Sequence, residues 1–159
     1  MPSGPARASA AYPAPYRVIL TVIEPLFAVC GAALVLVRPR AYLSTMSRGL
    51  GVFSADSTFM YTTAGGAWLY FAFVEAVVLR AYDDARLWRL LCAGMLLSDA
   101  AYCVSVVQAV GGWDRWVDLA AWTTDDWVAF AATAPMVLVR ILIVLGVGVR
   151  AATTGKKRK

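Results

Sequence analysis

Four long apolar stretches constrain this chain more than any other feature of its sequence. They cover about residues 18–37, 59–79, 87–110 and 127–149 of the 159-residue chain. A helix that crosses a bilayer needs about 20 consecutive, mostly apolar residues. The composition agrees, because 60% of the residues are hydrophobic and 16% are charged, against roughly 45–50% and about 25% in soluble domains. The sequence therefore predicts an all-α, four-helix transmembrane bundle.

The segments outside the four stretches predict the domain organisation. Residues 1–16 are rich in Pro, Ala and Ser and are expected to form a flexible cytosolic arm, followed by a transmembrane domain over 17–150 and a basic cytosolic tail over 151–159. The tryptophan-rich segment 111–127 suits the headgroup level and predicts a short interfacial helix before the last span. Thr123 to Asp126 supply side-chain oxygens that can cap the N-terminus of that span. Pro25 predicts a kink near Thr21, because its ring clashes with the carbonyl four residues back.

The distribution of basic residues predicts the orientation. Four spans place both termini on one side, which then carries ten Lys and Arg residues against four on the other side. The positive-inside rule puts the richer side, and hence both termini, in the cytosol. Lys156 and Lys157 resemble the dilysine retrieval signal of endoplasmic-reticulum membrane proteins, a receptor-read address. The alternative is that these lysines add only positive-inside charge and affinity for anionic lipid.

Two features of the composition exclude whole classes of site. The chain has no histidine, which excludes His-ligated zinc, His-ligated haem and a Ser-His-Asp triad. Its three cysteines lie within apolar stretches and are expected to be small buried hydrophobes. The net charge is +5, and the basic residues flank apolar runs or lie at the C-terminus. They form no stripe of the kind that binds nucleic acid. We therefore predict no metal, no cofactor and no nucleic-acid partner, and the bilayer is the first expected partner.

Four ionisable residues lie inside the predicted spans: Glu24, Glu75, Asp99 and Arg140. Such residues cost about 2.5–3.5 kcal/mol each on insertion scales and usually pair inside the bundle. Counted from the flanking arginines, Asp99 and Arg140 both lie about 15 Å deep, which predicts that they pair. The same count puts the two glutamates one layer nearer the cytosol.

These four residues could line a polar cavity that opens to the cytosol. We take Asp99, Glu75 and Glu24 as candidate catalytic residues and Arg140, Tyr102, Trp68 and Phe71 as candidate substrate-binding residues, with Tyr70 adding to the aromatic wall. A carboxylic acid could protonate an alkene or epoxide, and a carboxylate could take a proton back. Aromatic faces could steady a carbocation. The alternative is that the charges only fix the register of the helices.

Several stretches resemble a known family. YRVILTVIEPLFAVCGA (16–32), YFAFVEAVVLRAYDDARLWRLLCAGMLLSDAAY (70–102), WTTDDW (122–127) and VRILIVLGVGVR (139–150) are similar to small, four-span fungal membrane proteins of unknown function. The resemblance implies a fungal source and an endomembrane location, and it supplies no activity. Members commonly have an aromatic-Gly-His sequence after the residue matching Asp99. This chain has Ala100, Ala101 and Tyr102 there, so no role for that histidine carries over.

A looser, architectural similarity exists to sterol-isomerase-type bundles and to fungal membrane terpene cyclases. Fold alone does not fix function. The first hypothesis is an endomembrane protein that binds or acts on a lipid or isoprenoid-type intermediate, as a cofactor-free isomerase or cyclase. The second is a non-enzymatic adaptor or assembly subunit, in a homo- or hetero-oligomer, whose buried charges are structural. A proton-coupled carrier is the third.

Overall fold

The computed structural model describes residues 6–148, and these form helices and connecting turns without a β-strand. We number the helices in chain order. The short ones are α1 (Ala8–Ala11), α3 (Pro39–Met46) and α6 (Trp113–Trp116). The long ones are α2 (Ala14–Val37), α4 (Ala55–Ala81), α5 (Ala85–Ala109) and α7 (Thr124–Leu145).

The four long helices are each long and apolar enough to span a bilayer, which confirms the predicted fold class. Each begins a few residues before the apolar stretch that predicted it. The short helix α6 precedes the last span, also as predicted. The limits of arm, membrane domain and tail stay predictions, and Arg150, Lys156 and Lys157 lie outside the described residues.

Helix α2 changes its winding just before Pro25. Residues Ile19–Ile23 form a π-helical turn, at the place where the sequence predicts a kink. Because Pro25 has no amide hydrogen, the carbonyl of Thr21 loses its helical partner. Arg80 on α4 donates to that carbonyl oxygen at 2.5 Å. The proline thus frees an acceptor that helps to join α2 to α4.

The long helices pack as two antiparallel pairs, α2 with α4 and α5 with α7. Two glycines permit close packing within the first pair. A Cβ on Gly65 would lie 2.5 Å from Leu36 Cγ, and one on Gly31 would lie 2.5 Å from Trp68 Cζ3. Glycine at these positions lets a large side chain of the partner helix approach the backbone.

An apolar cluster closes the end of the bundle that carries the N-terminus. It includes Leu20, Leu79, Trp88 and Ile143. The Trp88 indole donates to the carbonyl oxygens of Leu79 and Tyr82, the unpaired end of α4. This packing covers the ends of all four spans on that side.

Part of the segment expected to be a flexible arm packs against this cluster. Ala8 and Tyr12 are buried, Tyr12 stacks on Trp88 with ring centroids 5.8 Å apart, and the Tyr12 hydroxyl donates to Ala85 O. Ser9 donates twice to the Asp83 carboxylate, each time at 2.6 Å. Helix α1 is therefore held in place, where the sequence led us to expect a flexible segment. The stacking of Tyr12 on Trp88 and the hydrogen bonds to Asp83 hold it, and neither contact can be predicted from the local sequence.

At the opposite end of the bundle, the connecting segments are held by hydrogen bonds. Thr123 and Asp126 form a capping box at the start of α7, as the sequence predicts. Arg48 donates to Asp126 at 2.9 Å and to Arg115 O at 3.1 Å. This ion pair is nearly buried and fixes the loop after α3 to the start of the last span.

The cysteines depart from the sequence expectation. Cys92 is buried, but Cys30 and Cys103 are exposed on the outer face of the bundle. An apolar residue in a membrane span can face either the protein interior or the lipid, and hydropathy does not distinguish the two. Apolar surroundings in the sequence therefore could not predict which cysteines are buried.

Candidate functional site

One guanidinium group joins all four spans. Arg140 on α7 donates from Nη1 to Asp99 on α5 at 2.6 and 2.5 Å. Its Nη2 donates to Glu75 on α4 at 2.7 Å and to Glu24 on α2. The predicted Asp99–Arg140 pair is confirmed, and both glutamates belong to the same group. We call these four residues the Arg140 cluster.

The Arg140 cluster lies at one level, whereas the sequence predicts two layers. The prediction took Arg150 as the end of the last span, but α7 ends at Leu145 and Gly146 caps it with a positive φ. Arg140 is therefore only about 7–8 Å from that helix end at 1.5 Å per residue. Side chains lean toward the N-terminus of their own helix. Because α5 and α7 are antiparallel, Arg140 and the deeper Asp99 lean toward each other.

Both glutamates lie at irregular turns of their helices. Glu24 directly follows the π-helical turn in α2, and Glu75 lies within a second π-helical turn, Val74–Val78 of α4. The two π-helical turns contact each other. Such turns are rare and frequently occur at functional sites. Here they turn two carboxylates from neighbouring helices toward the same guanidinium nitrogen.

Negative groups outnumber positive ones in the Arg140 cluster, with three carboxyl groups for one guanidinium. The Glu75 side chain is fully buried and the Arg140 side chain is 3% exposed. Three buried polar atoms, Glu24 Oε2, Glu75 Oε2 and Arg140 Nε, have no hydrogen-bond partner in the described part of the chain. The pairing therefore leaves acceptors and a donor unused.

A cavity of about 210 Å³ adjoins the Arg140 cluster. All seven residues predicted as a site line it, together with residues that were not singled out from the sequence, among them Phe27, Gly31, Ser98, Thr133 and Met136. The structure thus brings the predicted set together around one cavity.

The aromatic part of the cavity comes from Trp68 and Phe71. The Arg140 guanidinium carbon lies 5.7 Å from the centre of the Phe71 ring. Trp68 packs edge-on to Tyr42 with ring centroids 5.6 Å apart. Tyr70 was expected in this wall, but it is 65% exposed. Residues three apart share a helix face and adjacent ones do not, so Trp68 and Phe71 face inward while Tyr70 faces outward.

The cavity lies on the side of the Arg140 cluster away from the chain's N-terminus. On α2 its lining continues from Glu24 to Gly31, and on α4 it lies between Trp68 and Glu75. The apolar cluster around Leu79 fills the other side. The expectation of a cavity open to the terminal side is therefore wrong. The expectation fails because large apolar side chains pack tightly at the terminal end of the bundle. The depth of the charged residues in the spans cannot predict this packing.

The Arg48–Asp126 ion pair was not predicted from the sequence. The two residues are 78 positions apart in the chain, and Asp126 was assigned only to capping. Arg48 has a positive φ of 52°, so its position depends on a turn that no sequence motif marks. Gly31, whose missing Cβ leaves room for Trp68 in the cavity wall, was not predicted from the sequence either.

Metal binding gains no support from the arrangement of side chains. Among the residues of 6–148, no group of three or more His, Cys, Asp or Glu side chains is placed to hold a metal ion. The three carboxylates of the Arg140 cluster instead surround a guanidinium.

Fold and site together define an α-helical, multi-pass membrane protein whose spans are joined by a buried ion cluster beside a cavity. A family model matches residues 9–150, nearly the whole described chain. The protein belongs to this family, which is described as a domain of unknown function (DUF7704). Searches of the curated proteins and of the solved structures find no match. The predicted resemblance to an uncharacterised family is thus confirmed, while fungal origin stays a prediction.

Proposed function

We propose that this membrane protein binds a hydrophobic molecule of the lipid or isoprenoid type and isomerises or cyclises it by acid-assisted, non-redox chemistry. The observation that carries the proposal is the surplus of carboxyl groups at the wall of an aromatic-lined cavity. Full ionisation would leave two buried negative charges without a cation, which is costly in apolar surroundings. A neutral cluster therefore holds protons that it can give to a ligand.

The chemistry needs only side chains of the Arg140 cluster and the aromatic wall. A carboxylic acid, from Glu75, Glu24 or Asp99, donates its proton to one carbon of an alkene, and the π electrons form the new C–H bond. The neighbouring carbon becomes cationic, and the faces of Phe71 and Trp68 stabilise it. A carboxylate then removes a proton from an adjacent carbon, and the C–H electrons form a double bond at a new position. In a cyclisation, the π electrons of a second alkene in the same ligand first attack the cationic carbon and form the ring bond, and the proton is lost from beside the new cation. Protons balance, and no electron acceptor is used.

The experiment replaces the acids without changing their shape. Glu75→Gln and Asp99→Asn are expressed in the host, and extracted metabolites are compared with the wild type. We expect the substrate to accumulate and the product to fall at least tenfold while protein levels stay normal. Asp56→Asn is the matched control, because Asp56 is exposed outside the cluster. Unchanged metabolites in both cluster variants would rule out the enzymatic proposal.

A second candidate is a non-enzymatic adaptor or assembly subunit. The observation in its favour is that Arg140 binds a carboxylate from each of the other three spans, so the cluster can hold the bundle together. For this function the cluster matters only through stability. Arg140→Gln would then lower the amount of folded protein, or of a co-purifying partner, and Glu75→Gln would change no metabolite.

We also propose that the protein resides in the endoplasmic reticulum of a fungal cell with both termini in the cytosol. The excess of basic residues on the terminal side and the dilysine-like Lys156 and Lys157 support this location. Replacing both lysines by Ser and imaging a tagged protein tests the address. We expect the variant to leave the endoplasmic reticulum, and continued residence there would contradict the address.

A further inference from the structure

A groove of about 410 Å³ lies along α5 and α7, and several of its lining side chains are exposed. Its lining runs along α7 from Asp125 to Ile141, about 24 Å at 1.5 Å per residue. Helices α3 and α6 border it at the end where α7 begins. The groove is therefore parallel to the spans, the direction in which the hydrocarbon chains of a bilayer run.

The lining of the groove suits a hydrocarbon chain. Val107 and Val137 form its floor, and Phe130 and Leu138, which are 47% and 55% exposed, form its edge. Trp113, the first residue of α6, lies at the end of the groove where α7 begins and is 62% exposed. Tryptophan prefers the headgroup level of a membrane, so the apolar part of the groove extends from there into the hydrocarbon core.

The groove and the cavity beside the Arg140 cluster share a wall. Three residues line both spaces: Tyr102, Ala129 and Thr133. Tyr102 is the one large side chain of the three, and its hydroxyl lies 3.8 Å from Met46 Sδ on α3. Tyr102 therefore lies between the two spaces.

The Arg140 cluster limits the polar end that can enter from the groove. Glu24 Oε2 and the fully buried Glu75 Oε2 make no hydrogen bond with any described residue, and Arg140 Nε is an unused donor. Each of the two oxygens accepts a hydrogen bond when its carboxyl group is ionised and donates one when it carries the proton. A hydroxyl group donates and accepts, so it matches both kinds of atom. A phosphate or carboxylate would add negative charge beside three carboxyl groups that share one guanidinium.

We propose that the groove binds the single hydrocarbon chain of a membrane alcohol, whose hydroxyl end passes Tyr102 to reach the Arg140 cluster. The inference deepens the proposed function, on which it rests, by naming the class of ligand and its entrance. It excludes diphosphates and fatty acids as ligands of this cavity.

The test uses the full-length protein in phosphatidylcholine vesicles with a hexadecanol probe that carries a diazirine in mid-chain. After illumination, mass spectrometry maps the labelled peptides. We expect labelling to concentrate on the segments of α5 and α7 that line the groove. Ala134→Trp fills the groove and should reduce this labelling at least fivefold. Ala131→Trp is the matched control, because Ala131 is exposed on the same helix and lines neither space.

Leu138→Trp is a second blocking variant at an exposed position, where a larger side chain leaves the helix packing intact. Excess hexadecanol should compete with the probe, and excess palmitate should not. Labelling that is spread evenly over all four spans, or that is equal in Ala134→Trp, Leu138→Trp and Ala131→Trp, would contradict binding of the chain in the groove. Equal competition by palmitate and hexadecanol would contradict the preference for a hydroxyl end.

The binding test and the metabolite test fail separately. Labelling of the groove together with unchanged metabolites in Glu75→Gln would support ligand binding and contradict the proposed chemistry. Changed metabolites without labelling of the groove would support the chemistry and contradict entry of the ligand through the groove.

Discussion

Arg140 and Glu75 form an ion pair in which Nη2 and Oε1 lie 2.7 Å apart and both side chains are almost completely buried. The pair connects α7 to α4, helices that belong to different packed pairs. Arg140 makes the same kind of contact with Asp99 and Glu24. The two packed pairs of helices, α2 with α4 and α5 with α7, are therefore joined through one guanidinium group. Loss of this guanidinium should cost more stability than loss of one of the three carboxylates.

Arg140→Gln should destabilise the protein severely. It leaves three carboxyl groups facing one another without a cation, and breaking a buried ion pair costs about 3–5 kcal/mol. We expect a large fall in the thermal unfolding midpoint in detergent micelles. Arg38→Gln, at an exposed arginine, is the control and should unfold like the wild type. A normal midpoint for Arg140→Gln would contradict the role of Arg140 as the link between the two packed pairs of helices.

Glu75→Gln should be much milder than Arg140→Gln. The amide oxygen can still accept from Arg140 Nη2, and the substitution removes one of three carboxyl groups that share one guanidinium. We expect a change in the free energy of unfolding within about 1 kcal/mol, the usual net value of one hydrogen bond. The same unfolding experiment measures it. A loss as large as that of Arg140→Gln would argue that all three carboxylates are needed to hold the helices together.

Gly31→Ala should disturb the cavity wall. Its new Cβ would lie 2.5 Å from Trp68 Cζ3, and overpacking typically costs about 1–3 kcal/mol. Gly66→Ala is the control, because a Cβ at Gly66 would meet no neighbouring side chain or helix within 4 Å. That change should be neutral or stabilising, since alanine favours helix over glycine by about 0.8–1.0 kcal/mol. Tryptophan fluorescence and thermal unfolding report both effects, and equal behaviour of the two variants would contradict the close Gly31–Trp68 contact.

Acid should release α1 from the bundle. Hydrogen bonds from Ser9 hold the pKa of the Asp83 carboxyl below its ordinary value, which is about 3.9. A lowered pKa in the folded state means that the contact stabilises α1 above pH about 4 and is lost as the pH falls through the lowered value. Hydrogen exchange at Ala8–Ala11 should therefore accelerate, after correction for intrinsic rates, as the pH falls below that range.

Asp83→Ala should release α1 at neutral pH as well, whereas Asp114→Ala, at an aspartate on the other end of the bundle, should not. Protection of α1 that is the same in Asp83→Ala and in the wild type would show that the Tyr12–Trp88 packing alone holds it.

The sequence predicts the parts of this molecule that depend on composition and local patterns. Hydropathy finds the four spans, and Thr123 with Asp126 marks the start of the last one. The cost of a buried charge identifies Asp99 and Arg140 as partners. The level of the Arg140 cluster was missed because Gly146 ends α7 earlier than Arg150 would. The second π-helical turn, Val74–Val78, has no local sequence signal.

Features that depend on contacts between distant segments could not be predicted in the same way. The docking of α1 depends on Tyr12 and Trp88, and the far-end ion pair depends on Arg48. The side on which the cavity lies follows from which residues pack tightly around Leu79, a property of all four helices together. Ionisable residues alone indicate that a polar site exists, and the packing around them decides where it opens.

Native mass spectrometry of the protein extracted from its own membrane tests the central claim, that the space beside the Arg140 cluster holds a ligand. Ala132 lines the cavity, while its neighbour Ala131 does not, so Ala132→Trp and Ala131→Trp form a matched pair. Thermal unfolding first establishes that both variants are folded. We predict that the wild type and Ala131→Trp carry a small hydrophobic adduct and that Ala132→Trp has lost it. The same spectrum for all three proteins would contradict the claim and favour a structural cluster.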